Sequence, residues 1–212
     1  MNIKAAVRQI LSKNRKRVLQ PMTQDDMKKL LNQSDTESKY KVGRKITVND
    51  RMQSNYTYTL TEPVGKNFDP DFKPELTPKQ MLERGVFEGQ YCNDCIFEFP
   101  KEWYLTALKR GKLKPEEVNK DINSFKLKSR QSLKEWRKNG WIYGDDPRGW
   151  FQWYMRYYLG RRDPEVDQKQ IARWNSFKRH VGQIKANCKP GDKDCRPKQR
   201  QALLQWAYNP NI

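Results

Sequence analysis

Residues 141–162, Trp-Ile-Tyr-Gly-Asp-Asp-Pro-Arg-Gly-Trp-Phe-Gln-Trp-Tyr-Met-Arg-Tyr-Tyr-Leu-Gly-Arg-Arg, set eight aromatic rings and four arginines into one short stretch. Large rings supply much of the burial energy available to a chain, and a guanidinium stays charged at any ordinary pH. The stretch must therefore build a core, grip an anion, or divide these duties between its rings and its arginines. From Trp150 to Tyr158 the rings fall on nearly every face of a helix, so they cannot all point into one core. Trp150, Trp153, Tyr154, Tyr157 and Tyr158 are expected to form a hub for the flanking helices, and stacking of one or two rings on bases is the alternative.

Apolar residues make up 35% of the chain and charged residues 32%, a balance that would favour disorder if the apolar residues were small or scattered. Seven Trp, ten Tyr and eight Phe instead provide large area per residue, and every tryptophan lies at position 103 or beyond. At 212 residues the chain accommodates one ordinary domain with an arm, or two small domains. The net charge of +18 is uneven, with +6 over 1–20, +2 over 21–45, −2 over 46–125 and +12 over 126–212. A balanced middle between basic ends points to a polyanionic partner, because a merely solvated surface gains nothing from such self-repulsion. Nucleic acid is the commonest partner of this kind, ahead of acidic protein or an anionic membrane surface.

No run approaches the ~20 apolar residues that cross a bilayer. Residues 1–20 carry Lys4, Arg8, Lys13, Arg15, Lys16 and Arg17 without an acid, and Ile3, Ala6, Val7, Ile10 and Leu11 follow helical spacing. Three readings stay open for this arm: a mitochondrial-type presequence, a nuclear address at Asn14-Arg15-Lys16-Arg17, or a phosphate-binding arm. It has no secretory core or cleavage pattern, so an intracellular, nuclear or virion-associated place is expected. Cys92 and Cys95 form a Cys-x-x-Cys pair, and Cys188 and Cys195 bracket Lys-Pro-Gly-Asp-Lys-Asp. The four could hold zinc if the pairs met in space, but the second spacing is long for a zinc knuckle and His180 is the lone histidine. Ordinary reduced cysteines and no cofactor are the first expectation, with zinc as the alternative.

Helix ends are well marked. Thr23 caps a helix to about Gln33, followed by a polar linker over 34–45. Residues 45–48 and 56–61 alternate with β-branched and aromatic residues, which predicts a small hairpin. A proline-punctuated loop follows, anchored by Phe68 and Phe72. Thr77-Pro78 opens a short helix that Gly85 ends. Further helices are predicted at about 101–110, 115–121 and 129–138. Asp146-Pro147, Asp163-Pro164 and Arg196-Pro197 predict three more, reaching Gly160, Asn187 and about Tyr208. The fold class expected is mainly α with a small β hairpin. It divides into a basic flexible arm with a short helix over 1–45, a mixed segment over 46–125 and an aromatic, Arg-rich helical module over 126–212.

Arginine offers a planar fork that matches phosphate oxygens, and the module is rich in it. The candidate nucleic-acid-binding residues are Arg148, Arg156, Arg161, Arg162, Arg173, Arg179, Arg196, Lys198 and Arg200. The three helices resemble a helix-turn-helix, with Pro197–Tyr208 as the reader, although the turn over 189–194 is long for that motif. DNA is favoured over RNA as the partner, with protein contacts through the aromatic surface also open. Two other functions stand beside it. One is a nucleic-acid-processing enzyme with a site near Asp145, Arg148 and His180, of which Asp145 and His180 are the catalytic candidates. The other is a structural or minor virion component. No phosphate-binding glycine loop, nucleophile elbow or deaminase signature occurs.

The block Gly140-Trp-Ile-Tyr-Gly-Asp-Asp-Pro-Arg-Gly-Trp-Phe-Gln-Trp-Tyr, with Gly160-Arg-Arg, Arg173-Trp, Arg179-His180 and Cys195-Arg-Pro-Lys-Gln-Arg-Gln, resembles a family of uncharacterised proteins in microbial eukaryotes and large DNA viruses. Residues 63–70 and 74–82 share the resemblance, which spans about 60–208. It implies a viral or nuclear context and no particular activity.

Overall fold

The structure, a computed structural model, describes residues 23–129 and 131–212. The readings placed on residues 1–20 lie outside these. The first element, α1 (Gln24–Gln33), begins where Thr23 accepts from the Asp26 N–H and Asp26 accepts from the Thr23 N–H, a reciprocal cap that satisfies two free donors. Its inward face is Met27, Leu30 and Leu31, at 0–5% exposure. The chain between α1 and the hairpin is also tied down. Glu37 takes the Trp103 indole N–H, and the Lys101 N–H donates to the Asp35 carbonyl. Residues 23–45 therefore belong to the folded body, not to a flexible arm, because Met27, Leu30, Leu31 and Tyr40 join its core.

Strands β1 (Lys45–Val48) and β2 (Tyr56–Thr59) pair antiparallel with Ile46 opposite Tyr58. Alternation turns Ile46, Val48 and Tyr58 inward, while the Thr47 and Thr57 hydroxyls meet outside at 3.0 Å. A two-stranded sheet is marginal alone. This one leans on the helical body through Thr61 and Glu62, whose N–H groups donate to the Gly160 carbonyl. Gly160 has φ +112, and a Cβ there would lie 1.9 Å from the Glu62 carbonyl oxygen, so the joint requires glycine.

Helices α2 (Pro78–Leu82) and α3 (Glu102–Lys109) follow, α2 opened by Thr77-Pro78 as expected and stopped by Gly85 at φ +68. No α-helix forms at 115–121, and only a 3-10 turn appears at Lys120–Ile122. Glu116, Glu117 and Val118 present no buried face there, and the Asn119 side chain starts the turn by accepting from the Asp121 N–H. Helix α4 (Leu133–Lys138) is shorter than predicted because Ser132 caps it, accepting from the Glu135 N–H.

Helix α5 (Trp150–Leu159) is the hub, with every residue but Tyr158 buried. Phe72 from the proline-rich loop meets Trp153, Tyr154, Tyr157 and the Trp174 ring edge-on, at 5.0–5.6 Å between centroids. The predicted start at Asp146-Pro147 is not used. Gly149 precedes the first helical residue, and the Asp146 side chain turns inward to two arginines.

The long helix predicted over 164–187 is two, α6 (Pro164–Ser176) and α7 (Lys178–Asn187), meeting at Phe177. The Ser176 hydroxyl donates to the Arg173 carbonyl at 2.7 Å, taking the acceptor that the Phe177 N–H would use in a continuous helix. That N–H bonds instead to Trp174, one residue nearer. Helix α8 (Pro197–Gln205) ends before Tyr208 because Ala207 adopts φ +57 and turns the chain, stacking Tyr208 on Trp174 at 4.6 Å. One apolar cluster runs from Met27 to Tyr208 through all these elements. Among the described residues, no helix is long and apolar enough to cross a membrane.

Candidate functional site

The predicted arginines divide into three groups. Arg148, Arg156 and Arg161 are interior, at 7%, 0% and 4% exposure. Helix α5 drives Arg156 under the hairpin, where its Nε and Nη2 donate to Glu98, Nη1 to Asp146 and to the Asp145 carbonyl, and Nη2 also to Gln53. Arg161, just past the Gly160 joint, forms a two-pronged pair with the same Asp146 at 2.9 and 2.6 Å. Arg148 forks onto Asp94 and reaches Asp50 at 3.1 Å. Burial opposes charge on Arg156 and Arg161, but Glu98 and Asp146 beside the first, and Asp146 beside the second, outweigh it and push both pKa values up.

Arg200 and Arg162 serve backbone carbonyls instead. Arg200, fully buried, donates to Asp192, Cys195, Pro210 and Ile212. It ties the turn before α8 to the segment after it. Arg162 donates to the carbonyls of Lys66, Asn67, Tyr157 and Arg161 and lies 3.8 Å above the Tyr157 ring. The expectation of phosphate contacts from Arg148, Arg156, Arg161 and Arg200 is corrected here, because these four are buried and their guanidiniums are held by protein oxygens, with Arg161 Nε alone among their side-chain nitrogens lacking a partner among the described residues. Helix α8 cannot serve as a groove reader either, since it turns Arg200, Gln201, Leu203 and Leu204 into the core and gives the Gln205 amide to the Ser129 carbonyl. On its outer side Lys198 is exposed, and Arg196, before the first turn, and Gln199 are half-buried.

The third group lies at the surface. Arg173 on α6 sits between the Tyr143 ring at 5.2 Å and the Trp206 ring at 5.4 Å. Trp206 stacks on Phe177 at 4.0 Å, and Arg179 lies 5.7 Å from that Phe177 ring. Arg173 is half-buried, yet it pairs with no carboxylate among the described residues. Its Nη1 donates to Gln170 and to the Trp141 carbonyl, and burial pushes its pKa down. The chain from 168 to 191 holds Lys169, Arg173, Lys178, Arg179, Lys185 and Lys189 with no acid. A half-buried cation that lacks an anion, set among rings and further cations, is suited to receive one.

No hydrogen bond or ion pair joins Asp145 to His180 among the described residues. Asp145 is exposed and contributes its backbone carbonyl to Arg156 and Gln53. His180 packs on Phe177 and its Nδ1 meets Gln183 at 3.2 Å. No hydrogen bond or ion pair among the described residues joins either of them to Arg148. Cys188 and Cys195 form a disulfide, which corrects both the reduced pair and the four-thiolate zinc arrangement. Cys92 and Cys95 are buried and free, and burial pushes the Cys95 thiol up. Ligand atoms of Asp50, Cys95 and Glu98 lie within 4.8 Å of one another. Arg148 and Arg156 already hold those carboxylates and supply the positive charge that a metal ion would bring.

Sequence reasoning missed Asp50, Asp94 and Glu98 as arginine partners and Trp141 as a surface ring. The acids carry no local signal, because each meets its arginine across 54–98 residues of chain. Scans against protein-family models, curated proteins and solved structures find no match to this chain.

Proposed function

We propose that the protein binds nucleic acid through the surface formed by α6, α7 and the loop after α4. The observation that carries this reading is the half-buried Arg173 guanidinium, held between Tyr143 and Trp206 with no carboxylate partner among the described residues. Arg179 and Lys185 extend the positive surface along α7, while Lys169 on α6 is paired with Glu165 at 2.7 Å. Asp146 is spent inside, on Arg156 and Arg161, and the stretch 168–191 carries six cations and no acid, so its positive charge is left unbalanced.

Phosphate contacts release counterions, so affinity for DNA or RNA should fall as salt rises, with a slope of about −0.9 per phosphate neutralised on duplex DNA. Filter retention or anisotropy across a salt series checks this on the full chain. A flat response, or no retention of either nucleic acid at low salt, rejects the reading.

A further inference from the structure

Trp141 differs from every other tryptophan in the chain. Trp103, Trp136, Trp150, Trp153, Trp174 and Trp206 each lie against another ring. Trp141 has no ring or cation over it among the described residues, and it is 38% exposed. Its position is nevertheless fixed. The Trp141 N–H donates to the Trp136 carbonyl at the end of α4, and its own carbonyl accepts from Arg173 at 3.1 Å. This partly exposed indole, with no ring or cation over it and its backbone tied to a guanidinium that has no carboxylate partner among the described residues, is left with ring surface for a ligand. Elsewhere in the molecule, rings of this size are covered.

We infer that this surface takes single-stranded nucleic acid, with a phosphate at Arg173 and a base stacked on Trp141. The inference rests on the proposed nucleic-acid reading and specifies its substrate class. Ring stacking is open only to a base whose face is free, and in a duplex both faces are covered by neighbouring pairs. An exposed indole therefore adds affinity for a single strand and little for a duplex. The tie between the Trp141 carbonyl and Arg173 sets the two contacts next to each other, so one nucleotide can satisfy both.

The test compares wild type, Trp141→Leu and Trp141→Phe for binding to a labelled oligothymidine strand, a DNA duplex and heparin, a polyanion without bases. Trp141→Leu should weaken oligothymidine about tenfold while leaving duplex and heparin within about twofold, and Trp141→Phe should recover part of the loss. Oligothymidine should also quench wild-type tryptophan fluorescence and quench Trp141→Leu less. Equal weakening of all three ligands, or none, overturns the inference while the broader reading stands. In the second case the exposed ring is left to a protein partner. Failure of wild type to bind any of the three overturns both.

Discussion

Arg156 and Arg173 sit on successive helices packed around the same aromatic hub. Around Arg156 the fold places Glu98, Asp146, Gln53 and the Asp145 carbonyl, so every donor of a fully buried guanidinium has an oxygen. Around Arg173 it places two ring faces, one amide oxygen and one carbonyl, and no acid. An enclosed charge is tolerable only when paired, whereas a charge at the rim can be left for a ligand. The same side chain is thus structural in one place and available in the other, and what separates the two is where the acids went.

The largest effect should come from breaking the interior member. Arg156→Met leaves Glu98 and Asp146 enclosed with less positive charge, and removing one partner of a buried pair costs ~3–5 kcal/mol. Equilibrium urea unfolding measures it. A loss under ~1 kcal/mol would put Arg156 among surface bridges and dissolve the distinction from Arg173. Adding Glu98→Leu should recover part of the loss, because it removes one of the stranded carboxylates.

The interior also sets an alkaline limit. Burial raises the Tyr58 pKa well above its ordinary value of 10.0, and Glu98, to which its hydroxyl donates at 2.9 Å, raises it further. Folded Tyr58 keeps its proton longer than unfolded Tyr58, so its contribution is whole below pH 10.0 and is lost as pH climbs toward the folded value. The expected decline is ~1.4 kcal/mol per pH unit for this one phenol. Unfolding curves above pH 10.0 should be flatter for Tyr58→Phe than for wild type, and an unchanged slope would remove Tyr58 from the account.

Legibility in the sequence follows the range of the interaction. Thr23, Thr77, Pro164 and Pro197 mark helix starts correctly, since a cap is settled by residues three or four positions away. Asp146-Pro147 has the same local form and fails, because Asp146 is claimed by Arg156 and Arg161, ten and fifteen residues on. Ser176 breaks the predicted long helix with one hydroxyl that no periodicity reveals. The arginines were legible as a group but not individually. Whether one is core or surface depends on Asp50, Asp94 and Glu98, which the chain delivers from far away. The aromatic hub was visible from density alone, and the one ring left outside it was not.

The surface member should respond in the opposite sense to the interior one. Arg173→Gln keeps a donor for the Trp141 carbonyl, so stability should change by less than ~1 kcal/mol. Affinity for nucleic acid should fall about tenfold, equivalent to ~1.4 kcal/mol. Unfolding and anisotropy on the same preparation separate the two quantities. A variant that unfolds readily but binds as before would assign Arg173 to the architecture, like Arg156.

Arg179 gives the smallest and most discriminating effect. It is exposed, touches the face of Phe177 and makes no ion pair among the described residues, so the fold gains little from it. Arg179→Gln should leave unfolding unchanged within ~0.5 kcal/mol. If the bound strand runs from Trp141 across Arg173 to α7, the variant removes one phosphate contact, and the salt slope should shrink by about 1 unit with little dependence on base sequence. An unchanged slope, alongside a real loss in Arg173→Gln, would confine the contact to Trp141, Tyr143 and Arg173. The acid-free surface of α7 would then be a solvated face, and the region opposed to the buried arginines would narrow to a single nucleotide's footprint.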